Sequence, residues 1–78
     1  MRYFAVPKLP KGTKKEMNPL QWALYNKAET REQGCDLLTL IGAGKPFVNE
    51  LGDKEFANSA KIRRDIRVLL QHRVLILK

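Results

Sequence analysis

The sequence predicts one small α+β domain, in which three to four helices pack beside a short two-stranded sheet formed by the two ends of the chain. Its 78 residues are enough for a single hydrophobic core. The two segments with strand character, residues 1–6 and 73–77, lie at opposite ends of the chain, so each needs the other as its partner. Between them, apolar residues recur at helical spacing.

The formal net charge of +7 is concentrated in two parts of the sequence. Residues 1–18 and 53–78 hold an excess of lysine and arginine, whereas residues 19–52 are close to neutral. A polyanion is the simplest partner for this distribution, because every phosphate that is neutralised releases condensed counterions.

Cys35 and His72 are the only cysteine and histidine of the chain. An internal disulfide and a zinc site built from these residue types are therefore excluded, and a catalytic pair of the two is disfavoured. Gly44-Lys45 lacks the flanking pattern of a phosphate-binding loop. Since no other acid–base or metal constellation is present, we expect neither enzymatic activity nor a metal or cofactor.

No apolar run approaches the roughly 20 residues that a membrane-spanning helix needs. The N-terminus also lacks the apolar region of a signal peptide. Together with the single cysteine, these features predict a cytoplasmic protein that does not contact a membrane.

The N-terminal 17 residues form the first strand and a basic arm within the single predicted domain of residues 1–78. Pro7 and Pro10 predict that residues 7–17 are extended and contain no helix. Two interpretations remain open for the arm: it grips phosphates through its lysines, or it is a solvated loop. The lysines in question are Lys11, Lys14 and Lys15.

The first helix begins at Asn18-Pro19, because asparagine caps helices well and proline is favoured at the first helical position. It ends or kinks before Gly34. Trp22 and Tyr25 are expected to pack at the edge of its apolar stripe rather than to stack on a base. The stripe consists of Leu20, Ala23, Leu24 and Ala28.

The middle of the chain predicts a second, mostly buried helix over residues 35–41, with leucine or isoleucine at positions 37, 38, 40 and 41. Residues 42–46 then form a turn. We expect residues 47–51 to form a short helix and Phe56 to enter the core.

Residues 58–71 predict a strongly amphipathic helix that Asn58 or Ser59 caps. At 100° per residue, its apolar side chains fall within about 100° of one another. The helix is either a recognition helix for nucleic acid or an ordinary helix with a solvated outer face. Its apolar stripe is Ile62, Ile66, Leu69 and Leu70, and the opposite side carries Lys61, Arg64 and Arg67.

The run Ile62-Arg63-Arg64-Asp65-Ile66, with Leu69 after it, carries a resemblance to a known family. Before it, the same register holds leucine or isoleucine at 37, 40 and 41, glycine at 44 and Glu-Leu at 50–51; after it, Val-Leu at 74–75. Over about 40 residues the chain thereby resembles the winged helix-turn-helix domain of DeoR-type bacterial transcription regulators. It departs from the family pattern at three positions: Asn58 replaces serine, Lys61 replaces threonine and Arg73 replaces glycine.

The resemblance implies a winged-helix-like domain that binds double-stranded DNA as a small transcriptional regulator or accessory factor. Residues 58–71 would be its recognition helix, and the N-terminal strand would replace the second strand of the wing. Lys61 and Arg64 are the best candidates for base contacts, because cationic side chains pair well with guanine. We assign Asp65 a structural role beside a neighbouring arginine. The remaining candidates for DNA contact are Asn58, Ser59, Arg63, Arg67, Arg73, Lys45, Lys11, Lys14 and Lys15.

A second interpretation belongs to a different functional class. The chain would be a protein-interaction module or inhibitor of the phage or plasmid type, and its cationic helix would dock on an acidic protein partner. The sequence leaves open whether the protein forms a homodimer.

Overall fold

The computed structural model describes the backbone of residues 1–78 and every side chain except that of residue 14. The expected phosphate contact of Lys14 therefore lies outside the described side chains. The elements follow in the order β1 (Tyr3–Ala5), α1 (Thr13–Glu16), α2 (Pro19–Glu29), α3 (Leu37–Ala43), β2 (Phe47–Val48), β3 (Lys54–Glu55), α4 (Ser59–Gln71) and β4 (Leu75–Leu77). This arrangement confirms the predicted α+β class. Within the described part of the chain, no helix has the length and apolar character to cross a membrane.

The two ends of the chain form an antiparallel sheet, as predicted. Tyr3 is paired with Leu77 and Ala5 with Leu75 across β1 and β4. On its other side, Tyr3 exchanges backbone hydrogen bonds of 2.7 and 2.8 Å with Cys35, the residue that precedes α3 by two positions. The first strand is therefore held between the last strand and the middle of the chain.

Helices α2, α3 and α4 surround the core. The predicted start of α2 is confirmed: the Asn18 side chain accepts a hydrogen bond from the Gln21 N–H at 2.8 Å, and the Gln21 side chain accepts one from the Asn18 N–H at 3.1 Å. This reciprocal capping satisfies two backbone donors that a helix end would otherwise leave free. The fully buried core side chains are Leu20, Leu24, Cys35, Leu40, Ile62, Leu69, Val74 and Leu75.

Gly44 allows α3 and α4 to approach each other closely. A Cβ atom at this position would lie 2.9 Å from the side chain of Ile62 and 3.1 Å from that of Leu20. Such a contact is too short for carbon atoms, so a larger residue would push α4 away from the core.

The prediction of a short helix over residues 47–51 is wrong, because this segment enters an antiparallel hairpin. Phe47 pairs with Glu55 and Val48 with Lys54. The Asn49 side chain accepts hydrogen bonds from the backbone N–H groups of Leu51 and Asp53, each at 2.9 Å. Asparagine and glycine favour such turns, and Gly52 has the positive φ of 82° that the turn requires. The Glu50-Leu51 pair, which the family pattern assigns to a second helix, therefore lies in the hairpin turn.

Three further expectations are corrected. Residues 13–16 form the single turn α1, because Pro7 and Pro10 precede it and restrict only the residues before the helix. Phe56 is 77% exposed and does not join the core. Leu38 is 78% exposed, because α3 is covered by its neighbours on one side only.

Candidate nucleic-acid interface

Helix α4 is the element that fixes the candidate interface. The Asn58 side chain caps its start by accepting a hydrogen bond from the Lys61 N–H at 2.8 Å. Ile62, Ile66 and Leu69 are buried, as predicted. Because this apolar stripe holds the helix in the core, the orientation of its outer side is fixed as well.

The outer side of α4 is cationic and exposed. At helical spacing, Ala60, Arg64, Arg67 and Gln71 lie at its centre, and Arg63 and Lys61 lie at its two edges. All six side chains are exposed. The sequence predicts the four cations but not Ala60 and Gln71 as candidate contacts. Both lie on one stripe with Arg64 and Arg67, in which successive residues are four, three and four positions apart, and this spacing could have identified them. Ala60 leaves room for close approach, and a glutamine can contact adenine with two hydrogen bonds.

Arg64 and Asp65 form the only ion pair found among the described side chains, in agreement with the structural role expected for Asp65. The Arg64 Nε lies 3.9 Å from the Asp65 Oδ1, a long distance for such a pair. The Arg64 side chain is 69% exposed, whereas that of Asp65 is buried. The pair therefore engages one edge of the guanidinium group and leaves its outer edge facing solvent, where it can meet a base or a phosphate.

Lys45 is brought to the N-terminus of α4, although it is 14 residues away in sequence. Its Nζ donates a hydrogen bond to the Ser59 Oγ at 2.6 Å. The predicted contacts Lys45, Asn58 and Ser59 therefore lie together at one end of the helix. The Asn58 oxygen is already used for capping, so its amide N–H₂ group is what remains for a partner.

Lys61 has acidic neighbours that the sequence did not indicate. It lines a groove together with Glu50, Leu51 and Glu55 of the hairpin and with the start of α2. These carboxylates lower the positive potential around Lys61. Arg64 and Arg67 are consequently better candidates than Lys61 for contact with a polyanion.

Arg73 lies at the opposite end of α4, in the turn that leads to β4. Its φ is +58°, the left-handed conformation that glycine adopts most easily. The Arg73 N–H bonds to the Leu70 carbonyl at 3.2 Å, and the Val74 N–H bonds to the Leu69 carbonyl at 2.8 Å. This pattern is a Schellman motif, in which the left-handed residue usually is glycine. The exposed arginine therefore stands at a strained position that directly follows the candidate recognition helix.

The basic arm packs beside the C-terminal half of α4. Thr13, Glu16 and Met17 line a small cavity with Val68 and His72. Val68 and His72 follow Lys61 by 7 and 11 residues, so all three lie on the same edge of the helix. Lys11 and Lys15 are exposed on this arm, which thereby borders the cationic side of α4.

Two basic residues that contribute to the net charge are engaged elsewhere. The Arg2 guanidinium donates hydrogen bonds of 2.8 Å to the carbonyls of Gln33 and Gly34. The Lys78 Nζ lies 5.6 Å from the centre of the Phe4 ring, within the range of a cation–π contact. Both residues belong to the terminal sheet region and not to the α4 surface.

Two titratable side chains outside this surface, Asp36 and Tyr25, have pKa values that the fold shifts. Asp36 caps α3, and a hydrogen bond from the Thr39 N–H at 2.7 Å is the main cause that lowers its pKa below the usual value. Burial raises the pKa of Tyr25, with a smaller contribution from Glu29. Among the described residues, no group of three or more histidine, cysteine, aspartate or glutamate side chains could hold a metal ion.

Comparisons with known proteins add no assignment. No protein-family model matches the chain, and the searches of curated proteins and of solved structures gave no significant match. The functional interpretation therefore depends on the geometry of α4 and its surroundings.

Proposed function

We propose that the protein binds double-stranded DNA and inserts α4 into the major groove, as a small transcriptional regulator or accessory factor. One observation carries the proposal. A helix whose apolar stripe is anchored in the core presents Arg63, Arg64 and Arg67 together on its exposed side. Because the core holds α4 in place, its three arginines form one preorganised surface, which a flexible cationic segment would not provide.

The dimensions of α4 suit the major groove. Its thirteen residues span about 20 Å, whereas the groove is about 12 Å wide. The ends of the helix can therefore reach the phosphates on both sides while its centre faces the bases. In this arrangement Arg64 and Arg67, in the middle of the helix, read base edges, since arginine pairs with guanine.

Phosphate contacts would come from both ends of the helix. Lys45 and Ser59 lie at its N-terminus, where backbone N–H groups also favour an anion. Arg73 lies at its C-terminus, and Lys11 and Lys15 lie on the arm beside it. Contacts of this kind would set the position of the protein on the duplex without reading its sequence.

In the proposed mode of binding, the fold acts like a winged helix-turn-helix domain but differs from it in one element. The terminal sheet of β1 and β4 would take the place of the wing, while the β2–β3 hairpin occupies the position in the chain that the family pattern gives to a second helix. α4 would therefore be supported by α2, α3 and β4 instead of by a compact helix-turn-helix pair.

A second candidate is docking on an acidic protein surface. Leu51 is exposed in the same groove as Lys61. A surface that mixes apolar and cationic side chains is typical of protein interfaces, where a few buried apolar anchors supply most of the energy.

A salt titration against random-sequence duplex DNA distinguishes the two candidates. If the protein neutralises about five phosphates, the logarithm of the association constant should fall with the logarithm of the salt concentration at a slope of about −4 to −5. Fluorescence anisotropy of a labelled duplex measures this slope. Absence of binding at about 50 mM salt would contradict DNA binding and favour the protein partner.

A further inference from the structure

A groove of about 420 Å³ lies between the start of the basic arm and one side of α2. Residues 7–9 of the arm form one wall of this groove. Trp22, Tyr25 and Glu29 form the other wall, because they are three and four residues apart and therefore lie on one side of the helix. The volume falls in the range of small-molecule sites, roughly 300–1,000 Å³.

Two aromatic rings line the groove at nearly a right angle to each other. The ring centres of Trp22 and Tyr25 are 5.9 Å apart, and the ring planes form an angle of 85°. Trp22 is half-buried, whereas Tyr25 is only 7% exposed. The Tyr25 hydroxyl forms no hydrogen bond with the described residues, so it is free to bond to a ligand. Rings in this arrangement can contact a ligand from two directions with the negative faces of their π systems.

Glu29 adds a full negative charge to the same wall. It is the last residue of α2, where the helix dipole is itself negative and favours cations. The Glu29 carboxylate is exposed and forms no ion pair with a described side chain. Burial and, to a smaller extent, the charge of Glu29 raise the pKa of Tyr25, which indicates that the carboxylate lies close to the aromatic pair. It is therefore available to a cation from outside the chain.

We propose that this groove binds an alkylammonium group, the cation of a quaternary amine or of a methylated lysine side chain. Such a cation is attracted to the face of an aromatic ring when it lies within about 6 Å of the ring centre. Trp22 and Tyr25 supply the faces, Glu29 supplies the opposite charge, and Pro7 and Leu9 supply an apolar wall for the methyl groups. None of these residues belongs to the α4 surface, so the proposal does not depend on DNA binding.

Lys8 is the one described cation that lines this groove, and its charge opposes the proposed ligand. The side chain is exposed and forms neither an ion pair nor a cation–π contact with the described residues. Its long, flexible stem can therefore turn towards solvent when a ligand enters. Because like charges repel, removal of Lys8 should strengthen the binding of a cation, whereas it would weaken the binding of an anion.

A proline-rich peptide is the competing occupant, since aromatic grooves also bind extended proline segments. A peptide of this kind uses apolar contacts and hydrogen-bond donors, and it needs no negative charge in the groove. The unpaired carboxylate of Glu29 at the negative end of α2 therefore favours the cation.

Titration of the full chain with choline tests the proposal, and the fluorescence of Trp22 reports on the groove directly because it is the only tryptophan. Sodium chloride keeps the ionic strength constant during the titration. The fluorescence should change saturably, with a dissociation constant of roughly 1–10 mM. The uncharged analogue of choline, in which a carbon atom replaces the quaternary nitrogen, should bind at least about tenfold more weakly.

Three substitutions of exposed charges test the assignment of the groove. Glu29→Gln should weaken choline binding roughly three- to tenfold, and Lys8→Ala should strengthen it about twofold. Glu55→Gln is the matched control for Glu29→Gln, since Glu55 is an exposed carboxylate that lines a different groove, beside Lys61. This variant should bind choline like the wild type. All three side chains lie outside the core, so the fold should be retained.

A short alanine peptide with one central trimethyllysine distinguishes the two sources of the cation. Binding at least about tenfold tighter than that of choline would identify a methylated protein side chain as the ligand, and equal binding would identify a free amine. Absence of a saturable change up to about 100 mM choline would overturn the proposal, as would equal binding of the uncharged analogue or weaker binding by Lys8→Ala. Saturable binding of a proline-rich peptide without binding of choline would show that the groove takes extended peptides instead.

Discussion

The backbone N–H of Val74 donates a hydrogen bond to the carbonyl of Leu69 at 2.8 Å and so closes the C-terminus of α4. Both side chains are buried, so this closure also joins the helix to the core at the start of the last strand. The turn that makes the bond forces Arg73, between them, into the left-handed conformation. An exposed cation of the proposed DNA surface thus occupies a position where glycine would be more stable.

Replacement of this arginine by glycine should separate folding from binding. Arg73→Gly should raise the free energy of unfolding by roughly 0.5–1 kcal/mol, because relief of backbone strain exceeds the added freedom of the unfolded chain. Urea denaturation measures the change. The same variant should bind random duplex DNA more weakly, since one phosphate contact is lost. A less stable variant would show that the Arg73 side chain makes contacts that outweigh the strain.

Truncation of the apolar stripe should destabilise the domain strongly. Ile66 is buried, and Ile66→Ala should cost about 2–4 kcal/mol, a large part of the stability of a domain this small. Thermal melting should show a lower transition temperature. Leu38→Ala is the control, since this exposed side chain should change the free energy of unfolding by no more than about 0.5 kcal/mol. Equal effects of the two substitutions would mean that the α4 stripe is not what holds the domain together.

The parts of the fold that the sequence predicts well have local signals. Asn18-Pro19 and Asn58 are capping residues, and both helices begin where they stand. The two terminal strands could be paired because no other strand candidate was recognised. The hairpin was missed, since five residues from Phe47 to Leu51 fit a short helix as well as a strand, and its turn depends on Asn49. The exposure of Phe56 and Leu38 follows from which elements cover them, which periodicity does not reveal.

In the candidate site, too, local sequence patterns predict some of the residues and not others. The cations of α4 follow from helical spacing, because a stripe opposite the apolar face must be exposed. The contact between Lys45 and Ser59 and the carboxylates beside Lys61 join residues that are distant in sequence. The packing of α3 on α4 brings Lys45 to Ser59, and the packing of β2 on α2 brings the hairpin beside Lys61, so no local pattern could predict these contacts.

The stability of the domain should depend on the ionisation of Asp36. Its pKa is lowered in the folded state, chiefly by the hydrogen bond from the Thr39 N–H. The carboxylate therefore stabilises the fold above its unfolded pKa of about 3.9, and this contribution is lost as the pH falls through the lower folded pKa. Asn is also a good capping residue but does not ionise.

The variant Asp36→Asn therefore tests whether the stability of the domain depends on this ionisation. The wild type should be more stable than the variant near pH 6, and the difference should shrink as the pH falls to about 2.5. Urea unfolding at the two pH values compares them. A difference that stays constant with pH would show that the charge of Asp36 does not contribute to the stability of α3.

If α4 reads DNA, removal of Arg64 and removal of Lys15 should weaken DNA binding in different ways. Arg64→Ala should cost roughly 1–3 kcal/mol of binding free energy at a preferred site and little on random DNA, because a base contact is lost. Lys15→Ala should weaken binding to both duplexes about equally and reduce the salt slope by about one, because a phosphate contact is lost. A preferred site can be selected from a pool of random duplexes, and anisotropy titrations at several salt concentrations give both quantities.

Arg31→Ala is the matched control for both variants. Arg31 is an exposed cation in the loop after α2, where it lines a groove with Arg2 and Gly34, away from α4. Its removal lowers the net charge by the same amount and should change binding much less than either substitution, since long-range charge effects are screened within about 10 Å at moderate salt. All three side chains lie outside the core, so circular dichroism should report an unchanged fold. Arg64→Ala also leaves the buried Asp65 without its ion-pair partner, so its binding should be compared well below its melting temperature. If Arg64→Ala left DNA binding intact but removed binding to an acidic protein, α4 would be a docking helix and its proposed place in the major groove would be wrong.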